Sequence, residues 1–283
     1  MISDQYLRST LPTDLGAARA FAHRAAQLVT MAARANLPPV SDDSHSNLGW
    51  DPITQSLVSH PLQAHGAGAQ VSLSLSTLQI GLNSNGQHAE SLKLDGRSHA
   101  DALGWLDDQL VRAGFHAASN SALPYELPTD VASITKYNAA DFDAQLASLA
   151  AWFDTANQVL SDFASSLTDL DPGASAVRCW PHHFDIATYV GLEQGAPETA
   201  RGIGIGMAPG DESYDQPYFY VNPWPHLDPV GLPPAPAPGH WHQDGFVGAI
   251  ATAEEILKLS DIRGELPKFI AMAFGIGRSQ LGA

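Results

Sequence analysis

The apolar residues of this chain keep two different periods in alternating blocks, which restricts it to folds that combine helices with sheets. From Asp14 to Ala35, behind Thr13 as a candidate cap, Leu15, Ala18, Phe21, Ala22, Ala25, Leu28, Val29 and Ala32 recur every three or four residues. This is the spacing of an amphipathic helix over about 13–36, stopped by Pro38 and Pro39. Further on the period falls to two. Val71, Leu73 and Leu75 alternate with serines, and then the phase slips by one to Leu78, Ile80 and Leu82. A one-residue slip in a continuous strand would send the apolar set to the opposite face, so it predicts a bulge or a tight corner. "NSNG" at 83–86 reads as a turn, and Leu92 and Leu94 read as a returning strand.

Helical spacing then resumes. Ser98 and Asp101 form a capping-box signature for a helix carrying Ala102, Leu103, Leu106, Leu110 and Ala113, ended by Gly114. Asn138 and Asp141 open a longer one whose Phe142, Leu146, Leu149, Phe153, Ala156, Leu160, Phe163 and Leu167 make one core-facing stripe. The second half is predicted to hold strands over Val177–Val190, Arg201–Met207, Pro217–Val221 and about His240–Ala251. Thr252 and Glu255 cap a further helix, and a last helix starts near Leu266. Each half, about 66–170 and 171–283, thus runs strands then helix. The expectation is a single α+β domain over 1–283, with antiparallel or mixed sheets and packed amphipathic helices.

The chain carries 14 Lys and Arg against 30 Asp and Glu, a formal charge of −16 spread along its length. That field repels phosphate backbones and anionic lipid, so neither nucleic acid nor a membrane is an expected partner. A hydrophobic fraction of 44% supplies a core. One cysteine, Cys179, rules out an intrachain disulfide. Neither a signal-peptide pattern nor an apolar run near 20 residues is visible, and the cytoplasm is the expected compartment.

Chemistry-bearing residues concentrate in two segments, "CWPHHFDIA" and "HWHQD". On strands, residues two apart share a face, so His183 would join Asp185 while Trp180 and His182 face the other way. By the same rule His240, His242 and Asp244 would share a face. Were the two strands neighbours, His183, His240, His242 and Asp244 could hold a divalent metal such as Zn, with Asp185 as ligand or general base. The glycines of "RGIGIGM" are not followed by a helix start that could cradle phosphate. They predict a strand with one bare face, closely approached by other groups. Asp211, Glu212 and Asp215 read as a solvated turn, and "SDDSHSN" as a loop of Asx turns.

At "SAVRCWPHHFDIATYV" and "PYFYVNPWP" the chain resembles a bacterial family known as domain of unknown function 5996. Phe184, Asp185, Ile186 and Ala187 match its Phe-Asp-Leu-Ala element. Phe219, Tyr220 and Pro223 match its Phe-Tyr-x-Tyr-x-x-Pro element, and the similarity would extend over roughly 65–260. The family brings no activity to carry over. It implies that Asp185 is a shared feature and that histidines at 182 and 183 are not.

Three readings stay open at this level. The residues could form a metal-dependent hydrolase-like site. They could form a non-catalytic aromatic pocket for a small, cationic ligand, drawing on Trp180, His182, Tyr218, Tyr220, Trp224 and Trp241. They could also form a polar network that only fixes the strands.

Overall fold

A computed structural model describes residues 4–64, 67–84, 87–195 and 199–283. Its helices are α1 (Asp4–Leu7), α2 (Gly16–Asn36), α3 (His99–Arg112), α4 (Thr129–Ala132), α5 (Asp143–Ser166), α6 (Ala253–Ile256) and α7 (Ile262–Gln280). Its strands are β1 (Gly49–Asp51), β2 (Ser56–Val58), β3 (Leu62–Ala64), β4 (Ala67–Ser74), β5 (Gln79–Ser84), β6 (Gln87–Lys93), β7 (Gly173–Ala174), β8 (Arg178–Trp180), β9 (Asp185–Gly191), β10 (Gly202–Ala208), β11 (Tyr218–Trp224), β12 (His240–His242) and β13 (Gly248–Thr252). Two antiparallel sheets with helices make this an α+β protein. The chain divides into two compact units, 1–154 with 179–184, and 155–178 with 185–283.

In the first unit the strand order is β1-β2-β4-β5-β6, with β3 on β4. The phase slip is a tight corner. β4 ends at Ser74, Leu78 takes a left-handed φ of 44°, and β5 begins at Gln79, so Val71, Leu73, Ile80 and Leu82 all reach one buried face. A register shift between Leu82 and Asn83 adds a bulge. The "NSNG" turn falls partly outside the described residues. Helices α2 and α3 pack on this sheet. The capping box of α3 forms as expected: Ser98 Oγ accepts from Asp101 N at 3.0 Å, and Asp101 accepts from Ser98 N.

In the second unit the order is β12-β13-β11-β10-β9-β7. Two predicted strands are each broken. Val177–Val190 is β8 and β9 separated by a turn at 181–184, and His240–Ala251 is a hairpin of β12 and β13. Helix α7 starts at Ile262, ahead of the predicted Leu266, because Asp261 caps Gly264 N at 3.0 Å and the helix runs through Pro267. It packs on β10 and β11, where Gly277 lies against Ile203 and Pro223.

The bare glycine face is filled by tyrosine. A Cβ on Gly202 would collide with the Tyr189 ring. One on Gly206 would stand 2.5 Å from Tyr220 Oη and 2.8 Å from Ala187 Cβ. Glycine here is the space a neighbouring ring needs.

Candidate functional site

The segment Trp180–Phe184 is built as a turn, not as a strand. Phe184 N donates to Trp180 O at 2.7 Å, and Phe184 sits at φ 61°, a left-handed conformation that costs an aromatic residue about 1–2 kcal/mol. Burial offsets that cost. The ring is 1% exposed, stacks on His23 with centroids 4.9 Å apart and 6° between planes, and meets Phe153 at 5.2 Å. The carbonyl of Pro181 accepts two buried donors from one face of α2, His23 Nε2 at 2.8 Å and Gln27 Nε2 at 2.9 Å. Tyr125 in turn donates to Gln27 Oε1 at 2.8 Å. Desolvation lowers His23 to about 4, against the weaker opposing effect of its carbonyl partner. The ring is therefore neutral and donates through Nε2–H.

This pinned turn forms the wall of a cavity of about 330 Å³ lined by Trp180, Pro181, His182, Tyr125, Asp42 and Asp43, with Ser41, Ser46 and Pro124 completing it. The Trp180 and His182 rings stand edge to face at 6.2 Å, and Tyr125 meets His182 at 5.7 Å. Burial, then the neighbouring His183, lower His182 to about 4, so this wall is uncharged at neutral pH. The lining also carries two aspartates. Asp42 accepts from Ser44 N at 3.0 Å, and hydrogen bonds from Ser44 hold it below the usual carboxylate range. Asp43, at φ 59°, is paired with Arg34 at 2.5 Å.

The second unit carries a different polar assembly on one sheet face. Because β9, β10, β11, β13 and β12 pair in register, Asp185, Gly206, Tyr220, Ile250 and His240 project from the same side. Tyr220 donates to Asp185 Oδ2 at 2.5 Å, and Tyr218 to Asp211 Oδ2 at 2.5 Å. Burial, with the adjacent Asp185 charge, raises Tyr220 well above the ordinary phenol value; burial, with Asp211, raises Tyr218. Tyr214 extends the row, its ring 4.8 Å from Tyr218 and its hydroxyl between His240 Nε2 at 3.0 Å and His242 Nδ1 at 2.9 Å.

Several sequence expectations are corrected. His182 and His183 lie in the turn, so strand alternation does not join His183 to Asp185. β12 is not beside β9: β13, β11 and β10 intervene, four strand spacings or about 19 Å between Asp185 and the β12 histidines. Asp244 lies beyond β12 and contributes its backbone carbonyl, which accepts from His242 Nε2 at 2.6 Å. Among the described residues no three His, Cys, Asp or Glu side chains are arranged to hold a metal, so the expected set of His183, His240, His242 and Asp244 is not assembled. Of the expected aromatic residues, Trp180 and His182 line the cavity, Tyr218 and Tyr220 belong to the tyrosine row, and Trp241 donates to Pro233 O at 2.7 Å.

Sequence reasoning passed over His23, Gln27, Tyr125 and Tyr214, and read Glu255 only as part of a helix cap. A signal existed for the first pair, polar residues four apart inside an otherwise apolar helix stripe. Asp211 is the turn residue it was expected to be, its Oδ1 accepting from Ser213 N and Tyr214 N, and it also receives Tyr218.

Two antiparallel sheets with helices place the molecule among α+β proteins. The chain belongs to the family of unknown function DUF5996, whose model matches residues 12–281, nearly the whole length. No curated protein and no solved structure matches it.

Proposed function

We propose that the protein binds a small organic cation in the cavity of the first unit. The observation that carries this reading is the composition of the lining, which combines Trp180, Tyr125 and an uncharged His182 with Asp42 and Asp43. Aromatic faces attract a cation through their quadrupole, at about 0.5–2 kcal/mol per ring depending on desolvation. The carboxylates add Coulombic attraction. Arg34 answers one of the two and leaves a net negative site. The left-handed Phe184 and the doubly accepted Pro181 carbonyl hold the wall in place before a ligand arrives, which lowers the ordering cost of binding. No side chain here is arranged as a nucleophile with a base, so the reading is one of binding and not of turnover.

Calorimetric titration with choline and with its neutral carbon isostere, 3,3-dimethylbutan-1-ol, tests the proposal. Choline should bind and the isostere should not. Trp180→Leu should weaken choline by about 3- to 30-fold, the equivalent of one cation–π contact. Equal binding of both probes, or binding of neither, would overturn it.

A further inference from the structure

The contacts around Tyr214 do not balance as a closed set of neutral groups. A chain of four hydrogen bonds runs from Asp244 O to His242 Nε2 (2.6 Å), from His242 Nδ1 to Tyr214 Oη (2.9 Å), from Tyr214 Oη to His240 Nε2 (3.0 Å), and from His240 Nδ1 to Glu255 Oε1 (3.1 Å). Four bonds need four protons. The backbone carbonyl has none. Glu255 is held as an acceptor, since its Oε2 receives Thr252 N at 2.8 Å and Thr252 Oγ1 at 3.0 Å. Two neutral imidazoles and a phenol bring three. The arrangement is short of one positive charge.

The tautomers show where that charge belongs. His242 must donate through Nε2 to the Asp244 carbonyl, which leaves its Nδ1 lone pair aimed at Tyr214. His240 donates through Nδ1 to Glu255, which leaves its Nε2 lone pair aimed at the same oxygen. An imidazole whose far N–H is fixed by a carbonyl or carboxylate is the usual form of a metal-ligating histidine. Both rings show it, and both free nitrogens converge on one phenolic oxygen.

We propose that His240 Nε2, His242 Nδ1 and Tyr214 Oη form a site for a divalent first-row transition ion, Zn²⁺ or Cu²⁺, with the phenolate as third ligand. Donors held about 2.1 Å from an ion stand about 3.0 Å apart at the right angles of a tetragonal Cu²⁺ site and about 3.4 Å apart in a tetrahedral Zn²⁺ site, so the contacts of 3.0 and 2.9 Å at Tyr214 match the first and widen by about 0.5 Å for the second. On binding, two metal–nitrogen bonds and one metal–oxygen bond form, the phenol O–H bond breaks, and its proton passes to water. The carboxylates of Glu255, bonded to His240, and of Asp211, which accepts from Tyr214 N, stand beside the site and favour a cation there. His240 is 42% exposed along its side chain, so solvent reaches the site and water can complete the coordination. The site is independent of the cation cavity in the first unit.

The experiment uses the untagged full chain, stripped with a chelator. Zn²⁺ is followed by calorimetry, and Cu²⁺ by visible absorption, where a phenolate ligand adds a charge-transfer band. One ion per chain is expected, with the band abolished in Tyr214→Phe and the affinity at least tenfold weaker in His242→Ala. Glu255→Gln, which leaves all three ligands in place, should weaken binding about 10- to 100-fold. Absence of stoichiometric binding, or a Tyr214→Phe variant that keeps both band and affinity, would overturn the assignment. So would binding unchanged in His242→Ala, a residue of the terminal strand β12. A protein that binds only protons here, with acid-dependent stability and no metal uptake, would overturn it equally.

Discussion

His23 makes the stability of the first unit sensitive to acid in a way that can be isolated from every other titrating group. Its folded value is about 4 and the unfolded value about 6.5, so between these the unfolded chain takes up a proton that the folded chain refuses. The sign follows: stability is intact above pH 6.5 and is lost as pH falls towards 4. Integrating the two titrations gives a loss of about 2 kcal/mol at pH 5 and about 3 kcal/mol at pH 4 from this residue alone. His23→Gln keeps a donor for the Pro181 carbonyl, does not titrate, and gives up only the stacking on Phe184. Urea unfolding midpoints of parent and variant, measured at pH 7, 5 and 4, convert to a difference in which the carboxylates common to both cancel. The variant should be the less stable protein at pH 7 by about 0.5–1.5 kcal/mol, and the difference should shift by about 2 kcal/mol in its favour at pH 5, enough to reverse the order. A gap that stays constant from pH 7 to pH 4 would show that His23 accepts a proton in the folded state, and that the neutral Nε2–H donor inferred for the turn is wrong.

Other perturbations follow from the same geometry. Ser98→Ala removes the side-chain half of the α3 capping box and should cost about 1 kcal/mol, read as a lowered melting temperature. Gly206→Ala forces a methyl into the space of the Tyr220 ring and against Ala187, and should cost about 1–3 kcal/mol, with Tyr220→Ala in the same chain recovering part of it. Cys179 is 0% exposed, so a thiol reagent should label the native protein only at the rate of its unfolding; immediate stoichiometric labelling would contradict that burial.

Much of the fold was legible because its signals are local. The α2 stripe, the phase slip at Leu75–Leu78 and both capping boxes, at Ser98 and Thr252, depend on residues within a few positions of one another. The candidate site was legible only in its composition. Apolar residues recur through Cys179, Phe184 and Ile186, which disguises the turn, although Pro181 cannot donate to a ladder and was a warning. In "HQDGF" the Asp-Gly step, with Gly245 at φ 82°, is a hairpin signal that divides β12 from β13. Once that hairpin forms, β13 pairs with β11 and β12 is carried to the far edge, away from Asp185. Which strands pair is decided by contacts across the sheet, and a one-dimensional pattern of periods holds no record of them. The same holds for Tyr214, a turn residue whose partners lie 26 and 28 positions away.

The strand order of the second sheet bears on association between chains. Its central strands β9, β10 and β11 run seven residues each, while the strand order ends in β12, three residues long, and β7, two residues long. An incoming strand would therefore find only a few free backbone groups at either end, too short a template for stable addition. Behind β12 lies the segment Val247–Ala251, apolar, uncharged and buried, the composition that stacks readily once exposed. The short β12 acts as its cover. Conditions that release His240–His242 from the sheet should open a route to self-assembly well before the α7 side of the same unit unfolds.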